Sequence, residues 1–168
     1  GKVDKIKFAS VRFGNVIETR GNVFEVWENE VKNKKPISVT NLSMERYFFH
    51  ISEAVEFVLE CLLKADKGEI FVPKMKTYKI KEMADKISKN QKIIGLRPGE
   101  KIDEVLVSEE EMRRVQEKKD HFVIKREAEI DNRFVKKSTK FTEYGSGTIS
   151  PLNIEELKSL MKKLKWVM

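Results

Sequence analysis

Residues 46–73, "RYFFHISEAVEFVLECLLKADKGEIFVP", decide the fold. The opening "RYFFHI" (46–51) is apolar and aromatic, as a buried strand requires. Ser52 stands where a helix N-cap belongs, and the run through Asp66 carries Ala54, Val55, Val58, Leu59, Leu62 and Leu63 as one continuous apolar stripe. Cys61 shares that helix with Ala54 and Val58 and reads as a small buried side chain. Gly68 ends the helix because glycine accepts the left-handed conformation of a C-terminal cap. A strand, "EIFVP" (69–73), follows at once. Strand, helix and strand in succession predict α/β layers.

The alternation continues on both sides. Upstream, "DKIKFASVRF" (4–13) is a predicted strand ending at Gly14, and "NVFEVWENEVKNK" (22–34) spaces Val23, Trp27 and Val31 as an amphipathic helix. The strand "ISVT" (37–40) comes next. Downstream lie a helix over "YKIKEMADKIS" (78–88) and strands over "QKIIG" (91–95), "DEVLV" (103–107) and "DHFVIK" (120–125). Ser108 with Glu111, and Asn153 with Glu156, have capping-box spacing for a short helix and for a final one through Leu164. Residues 126–149 are polar and irregular, with "EYGSGT" (143–148) a predicted loop. Trp27 belongs to the core or an interface, and Trp166 docks the last helix.

The 168 residues, 40% of them hydrophobic, suffice for a packed core. No apolar run approaches the roughly 20 residues of a membrane helix, and the first residues lack the apolar centre of a signal peptide. A cytoplasmic protein without membrane contact is the expectation. Cys61 is the single cysteine, and the two histidines lie far apart in sequence, so neither a disulfide framework nor a metal site is indicated. Net charge is +7. The lysines are interleaved with acids, as on solvated helix faces, which argues against a nucleic-acid polymer as partner.

Chemistry gathers elsewhere. Neither G-x-G-x-x-G nor G-x-x-x-x-G-K-[ST] occurs, and no nucleophile has a recognisable histidine partner. His50 and His121 read as packing or surface residues. Three stretches remain: "VRFGNVIETRGNV" (11–23), "MERYFFH" (44–50) and "LRPGEK" (96–101). Each lies where a strand meets a loop, and ligands gather at strand ends in open α/β sheets. In the last stretch Pro98 and Gly99 predict a tight turn flanked by Arg97 and Glu100. Arginine suits a phosphate clamp because its planar fork gives two parallel charge-assisted bonds.

Four ordered segments, "SVRFGNVIETRGNVFEVW", "PISVTNLSMERYFFHISEAVEFVLECL", "GEIFVPKMKTYKIKEMADKI" and "IIGLRPGEKIDEVLVSEEE", carry a resemblance. They are similar to the C-terminal half of CapD-like nucleotide-sugar 4,6-dehydratases of polysaccharide biosynthesis, such as inverting UDP-N-acetylglucosamine 4,6-dehydratases, in the extended short-chain dehydrogenase/reductase superfamily. The likeness runs from about Lys7 to Ile124 and resumes in "EYGSGTISPLNIEELKSLM". It implies an α/β fold in which residues 1–16 complete a Rossmann-like parallel sheet, 17–125 form a small nucleotide-sugar binding domain, and 126–168 add an irregular segment and a helix.

The resemblance also implies roles. Asn15 and Arg46 would meet the diphosphate of a UDP-sugar, with Arg97 as a second phosphate ligand and Glu100 accepting the ribose hydroxyls. Thr40 and Asn41 would border the base, and the backbone at Phe13 and Gly14 would lie near the nicotinamide of NADP or NAD. In such enzymes the cofactor loop and the catalytic acids and bases belong to an N-terminal half. This chain is therefore expected to hold no catalytic residue, to bind no cofactor alone, and to need that half as a partner. Oxidation at the sugar C4, loss of water across C5 and C6, and hydride return to C6 would then be the intact relative's chemistry. Glu18, Thr19, Asn22 and Glu45 depart from the family pattern, and a carboxylate at Glu18 or Glu45 would repel a diphosphate unless turned away. An open strand edge predicts self-association. Two other classes stay open: a non-catalytic nucleotide-sugar binding module, and a basic nucleic-acid binding domain.

Overall fold

The computed structural model describes residues 6–126 and 142–163. In chain order these form β1 (Ser10–Val11), β2 (Asn15–Ile17), α1 (Val23–Lys32), β3 (Ile37–Val39), β4 (Glu45–His50), α2 (Ile51–Lys64), β5 (Ile70–Pro73) and β6 (Thr77–Lys79). Then come α3 (Ile80–Ile87), β7 (Gln91–Ile93), β8 (Val105–Val107), α4 (Glu109–Met112), β9 (Val115–Glu117), β10 (His121–Ile124), β11 (Tyr144–Gly145) and α5 (Ile154–Lys163). The α/β expectation holds. Pairing divides the strands into small sheets: β1-β5-β10-β9, β2-β4-β6, β3-β7 and β11-β8. The pairs β1–β5, β2–β4 and β3–β7 are parallel, whereas β4–β6, β5–β10, β9–β10 and β8–β11 are antiparallel.

Strand β4 organises the core through its two-residue alternation. Phe48 joins Phe24, Trp27, Ile37, Tyr78 and Met83 in one cluster. Tyr47, one step away, joins Val72, Val107, Phe122 and Tyr144 in another. Arg46 has the parity of Phe48, which sets its side chain on the side of the first cluster. Trp27 is fully buried and donates its indole N–H to the Ser38 carbonyl at 2.6 Å, tying α1 to β3.

Helix α2 corrects the sequence reading twice. Its cap is His50, whose Nδ1 accepts the Ser52 N–H while Glu53 takes the His50 N–H. The face against the sheet is Ala54, Phe57 and Cys61, packed on Phe71 and Val123. Most of the predicted stripe is exposed: Val55, Val58 and Leu59 in part, Leu62 to 75% and Leu63 to 88%. Apolar residues occupy adjoining faces of this helix, so their spacing could not say which face meets the sheet.

Both capping boxes form as read. Ser108 Oγ accepts the Glu111 N–H, and Asn153 Oδ1 accepts the N–H groups of Glu155 and Glu156. Strands β2, β6, β9 and β11 are additions, the last inside the predicted loop. Among the described residues the first predicted strand is reduced to Ser10–Val11. The expectations for Leu164 and Trp166 fall outside the described residues.

Candidate functional site

A cleft of about 800 Å³ opens between β2, the start of α1, the end of β3, β4 and the segment 99–106. The strand pairing builds its floor: Asn15 heads β2 in parallel register with Phe48, so Asn15, Phe48 and Arg46 reach one cavity. Asn15, Thr40, Arg46 and Glu100 all line it, with Phe13 and Gly14 in its wall. Gly14 is glycine for a local reason, because a Cβ there would fall on that of Tyr47.

The Pro-Gly turn forms as the sequence predicts. The Glu100 N–H donates to the Arg97 carbonyl at 3.0 Å, and Gly99 has φ of 82°, the left-handed geometry of a type II turn. The two flanking residues diverge. Glu100 folds inward, accepting the Arg97 N–H at 3.2 Å and standing 3.9 Å from the Arg46 Nη2. The Arg97 side chain is exposed and does not line the cleft. Asn41 also stands off the cleft, its Oδ1 accepting the Ser43 N–H and hydroxyl at 2.8 and 2.7 Å.

Arg46 is 7% exposed and heavily bonded. Its guanidinium donates to the carbonyls of Glu45, Lys101 and Ile102, and its Nε lies 3.3 Å from Glu104 Oε1. Glu104 is a cleft residue that the motifs did not single out. Burial pushes its carboxyl above the usual carboxylate range, while Arg46 and a hydrogen bond with the Asn15 side chain pull it back. Its signal is absent locally, since both partners lie in distant strands.

Other lining residues also went unassigned. Arg12, Arg20 and Lys101 add positive charge, and Asp103 adds negative. Arg12 is committed to a bidentate pair with Glu111 at 2.8 and 2.9 Å and to the Leu106 carbonyl, which fixes the cleft's far wall. Arg12 correspondingly holds the Glu111 carboxyl below its usual range. Asn22 caps α1 by accepting the N–H groups of Phe24 and Glu25, so the start of that helix faces the cavity. Two of the departing carboxylates turn away. Glu18, at φ of 68°, reaches His50 Nε2 at 3.2 Å, and Glu45 lies beside Lys79; neither lines the cleft.

Parallel strands whose ends open on an arginine-bearing cleft define an α/β protein of the Rossmann-like kind, with its ligand groups at the strand ends. A family model, described as polysaccharide biosynthesis protein, matches residues 1–126, and the chain belongs to that family. It is 34% identical to a UDP-glucose 4-epimerase of Rickettsia bellii, over 98% of this chain and 52% of that protein. It is 33% identical to an uncharacterized membrane protein, MJ1061, of Methanocaldococcus jannaschii, over 97% of this chain and 51% of the relative. Among solved structures, Pen from Bacillus thuringiensis matches with a TM-score of 0.85 and 29% identity, over 96% of this chain and 51% of that one. The chain thus spans about half the length of the relatives it matches. Among its described residues no helix is long and apolar enough to cross a membrane.

Proposed function

We propose that the chain is the nucleotide-sugar binding portion of a polysaccharide-biosynthesis dehydratase or epimerase, and that its cleft holds the diphosphate and ribose of a UDP-sugar. The observation that carries this reading is the convergence of Asn15, Thr40, Arg46 and Glu100 on one cavity from separate strands and a loop. Arg46 serves the pyrophosphate, Asn15 assists it, and Glu100 accepts ribose hydroxyls. The name UDP-glucose 4-epimerase, carried by the Rickettsia relatives, favours uridine as the nucleoside.

Reaction at the sugar is assigned to a second half, of the length by which the relatives exceed this chain. The exposed apolar side of α2 and the edge of β1, unpaired on one side among the described residues, are where it would pack. A nicotinamide cofactor would supply hydride transfer in the assembled enzyme. The residues present fit one part of it: Phe13 and Gly14 furnish a wall for the nicotinamide ring, while the sequence holds no Gly-rich turn for its phosphates. This portion contributes binding energy at a remote group, which orients the sugar for chemistry elsewhere.

Calorimetric titration with UDP tests the reading. Saturable binding that Arg46→Ala abolishes is expected, and adding the other half of a relative, NADP and a UDP-sugar should yield a 4-keto sugar from a dehydratase or the C4 epimer from an epimerase. UDP binding no better than that of uridine, or steeply salt-dependent affinity for DNA instead, would sink it.

A further inference from the structure

An arginine side chain has five N–H donors in a fixed fork. Arg46 makes four hydrogen bonds within the chain through its terminal nitrogens and one ion pair at Nε. Nε meets Glu104 at 3.3 Å, Nη1 donates to the Glu45 and Ile102 carbonyls, and Nη2 donates to the Lys101 carbonyl and the Met44 sulfur. Three of these partners belong to Lys101–Glu104. A pyrophosphate that takes two parallel bonds from Arg46 must therefore displace partners already in place, and a fork through Nε and Nη2 displaces Glu104. Glu104 lines the same cleft as Asn15, the other residue assigned to the diphosphate.

We propose that Glu104 is an internal competitor for the pyrophosphate of a nucleoside diphosphate, setting the affinity of the cleft by occupying Arg46 until the ligand exchanges with it. The proposal rests on the nucleotide-sugar reading and adds an affinity-setting residue to it. Exchange replaces one anion by another, so the buried guanidinium never loses its counter-charge, a state that burial makes costly. The Glu104 backbone need not follow. Its N–H donates to Ser146 Oγ at 2.9 Å and its carbonyl accepts the Ser146 N–H at 2.8 Å, so the side chain turns on an anchored main chain.

Calorimetric titration of the wild-type chain and Glu104→Gln with UDP, and separately with uridine, tests this. The variant keeps the side chain's size and removes its charge. UDP should bind about tenfold tighter to Glu104→Gln, the scale of one partly buried charge-assisted contact, with uridine unchanged. Binding of UDP by the variant alone would support the proposal equally. UDP affinity that is unchanged or weaker overturns the competitor and leaves the nucleotide-sugar reading standing. UDP affinity absent from both proteins overturns that reading and the competitor with it. Should Glu104→Gln fail to fold, the carboxyl-carbon NMR signal of Glu104 in the wild type decides: it should move on saturation with UDP, and a signal that stays fixed overturns the exchange.

Discussion

The cleft and the outer side of α2 are opposites in how they treat their functional groups. Around Arg46 both terminal nitrogens donate within the chain and Nε is ion-paired, the partners being Met44, Glu45 and groups of Lys101–Glu104. On α2, by contrast, Leu62 and Leu63 stand in the open beside Val55, Val58 and Leu59, while Ala54, Phe57 and Cys61 on the adjoining face are buried. Isolated exposed apolar residues are ordinary, but a row along one helix marks a surface built to be covered. The chain therefore closes its polar site on itself and leaves an apolar surface exposed. The contrast teaches that the polar cleft is internally organised, and that the second half proposed above would meet this chain through an apolar surface.

Four variants can break or sharpen this contrast. The largest effect belongs to the covered face of α2. Phe57→Ala should destabilise by about 3–4 kcal/mol through loss of contacts with the sheet, measured by urea unfolding. A loss under about 1 kcal/mol would mean that this face is no better packed than the exposed one. Arg46→Ala comes next, at about 2–3 kcal/mol, because it strands the Lys101 and Ile102 carbonyls and leaves Glu104 beside Glu100 without a cation. If stability is untouched, the polar closure of the cleft carries no weight.

Glu111→Gln should cost about 1 kcal/mol at pH 7, a charge-assisted pair discounted for the partial exposure of Arg12. Because Arg12 lowers the Glu111 carboxyl in the folded state, this stabilisation is present above the unfolded-state value. It disappears as pH falls through the folded one. Thermal unfolding of wild type and variant should therefore converge in acid, and a gap that persists there would exclude the ion pair as its source. Smallest of all, Leu62→Ala with Leu63→Ala should shift stability by less than about 0.5 kcal/mol. The pair should nonetheless reduce binding of a complementary half in a pull-down; unchanged capture would place the docking surface elsewhere.

Much of the fold was legible because the relevant signals are local. The caps at Ser108 and Asn153, the helix over Val23–Lys32 and the turn at Gly99 each depend on residues within a few positions of one another. The missed strands are two or three residues long, and some owe their existence to partners far along the chain, such as Tyr144 opposite Val107. Of the cleft, "RPGEK" and "MERYFFH" were conspicuous, while Glu104 was hidden in an ordinary strand-like run. Arg97 illustrates the reverse error of proximity: it shares a turn with Glu100, yet the turn sends the two side chains in different directions.

Residue order alone thus determined the α/β class, the capped helices and the motifs that mark family membership, since backbone propensities and capping bonds act between near neighbours. Only tertiary structure decided which face of α2 is covered and which acceptors Arg46 takes. Both depend on what packing brings within contact distance, and a buried charge or an apolar face is satisfied by spatial neighbours irrespective of their distance in sequence.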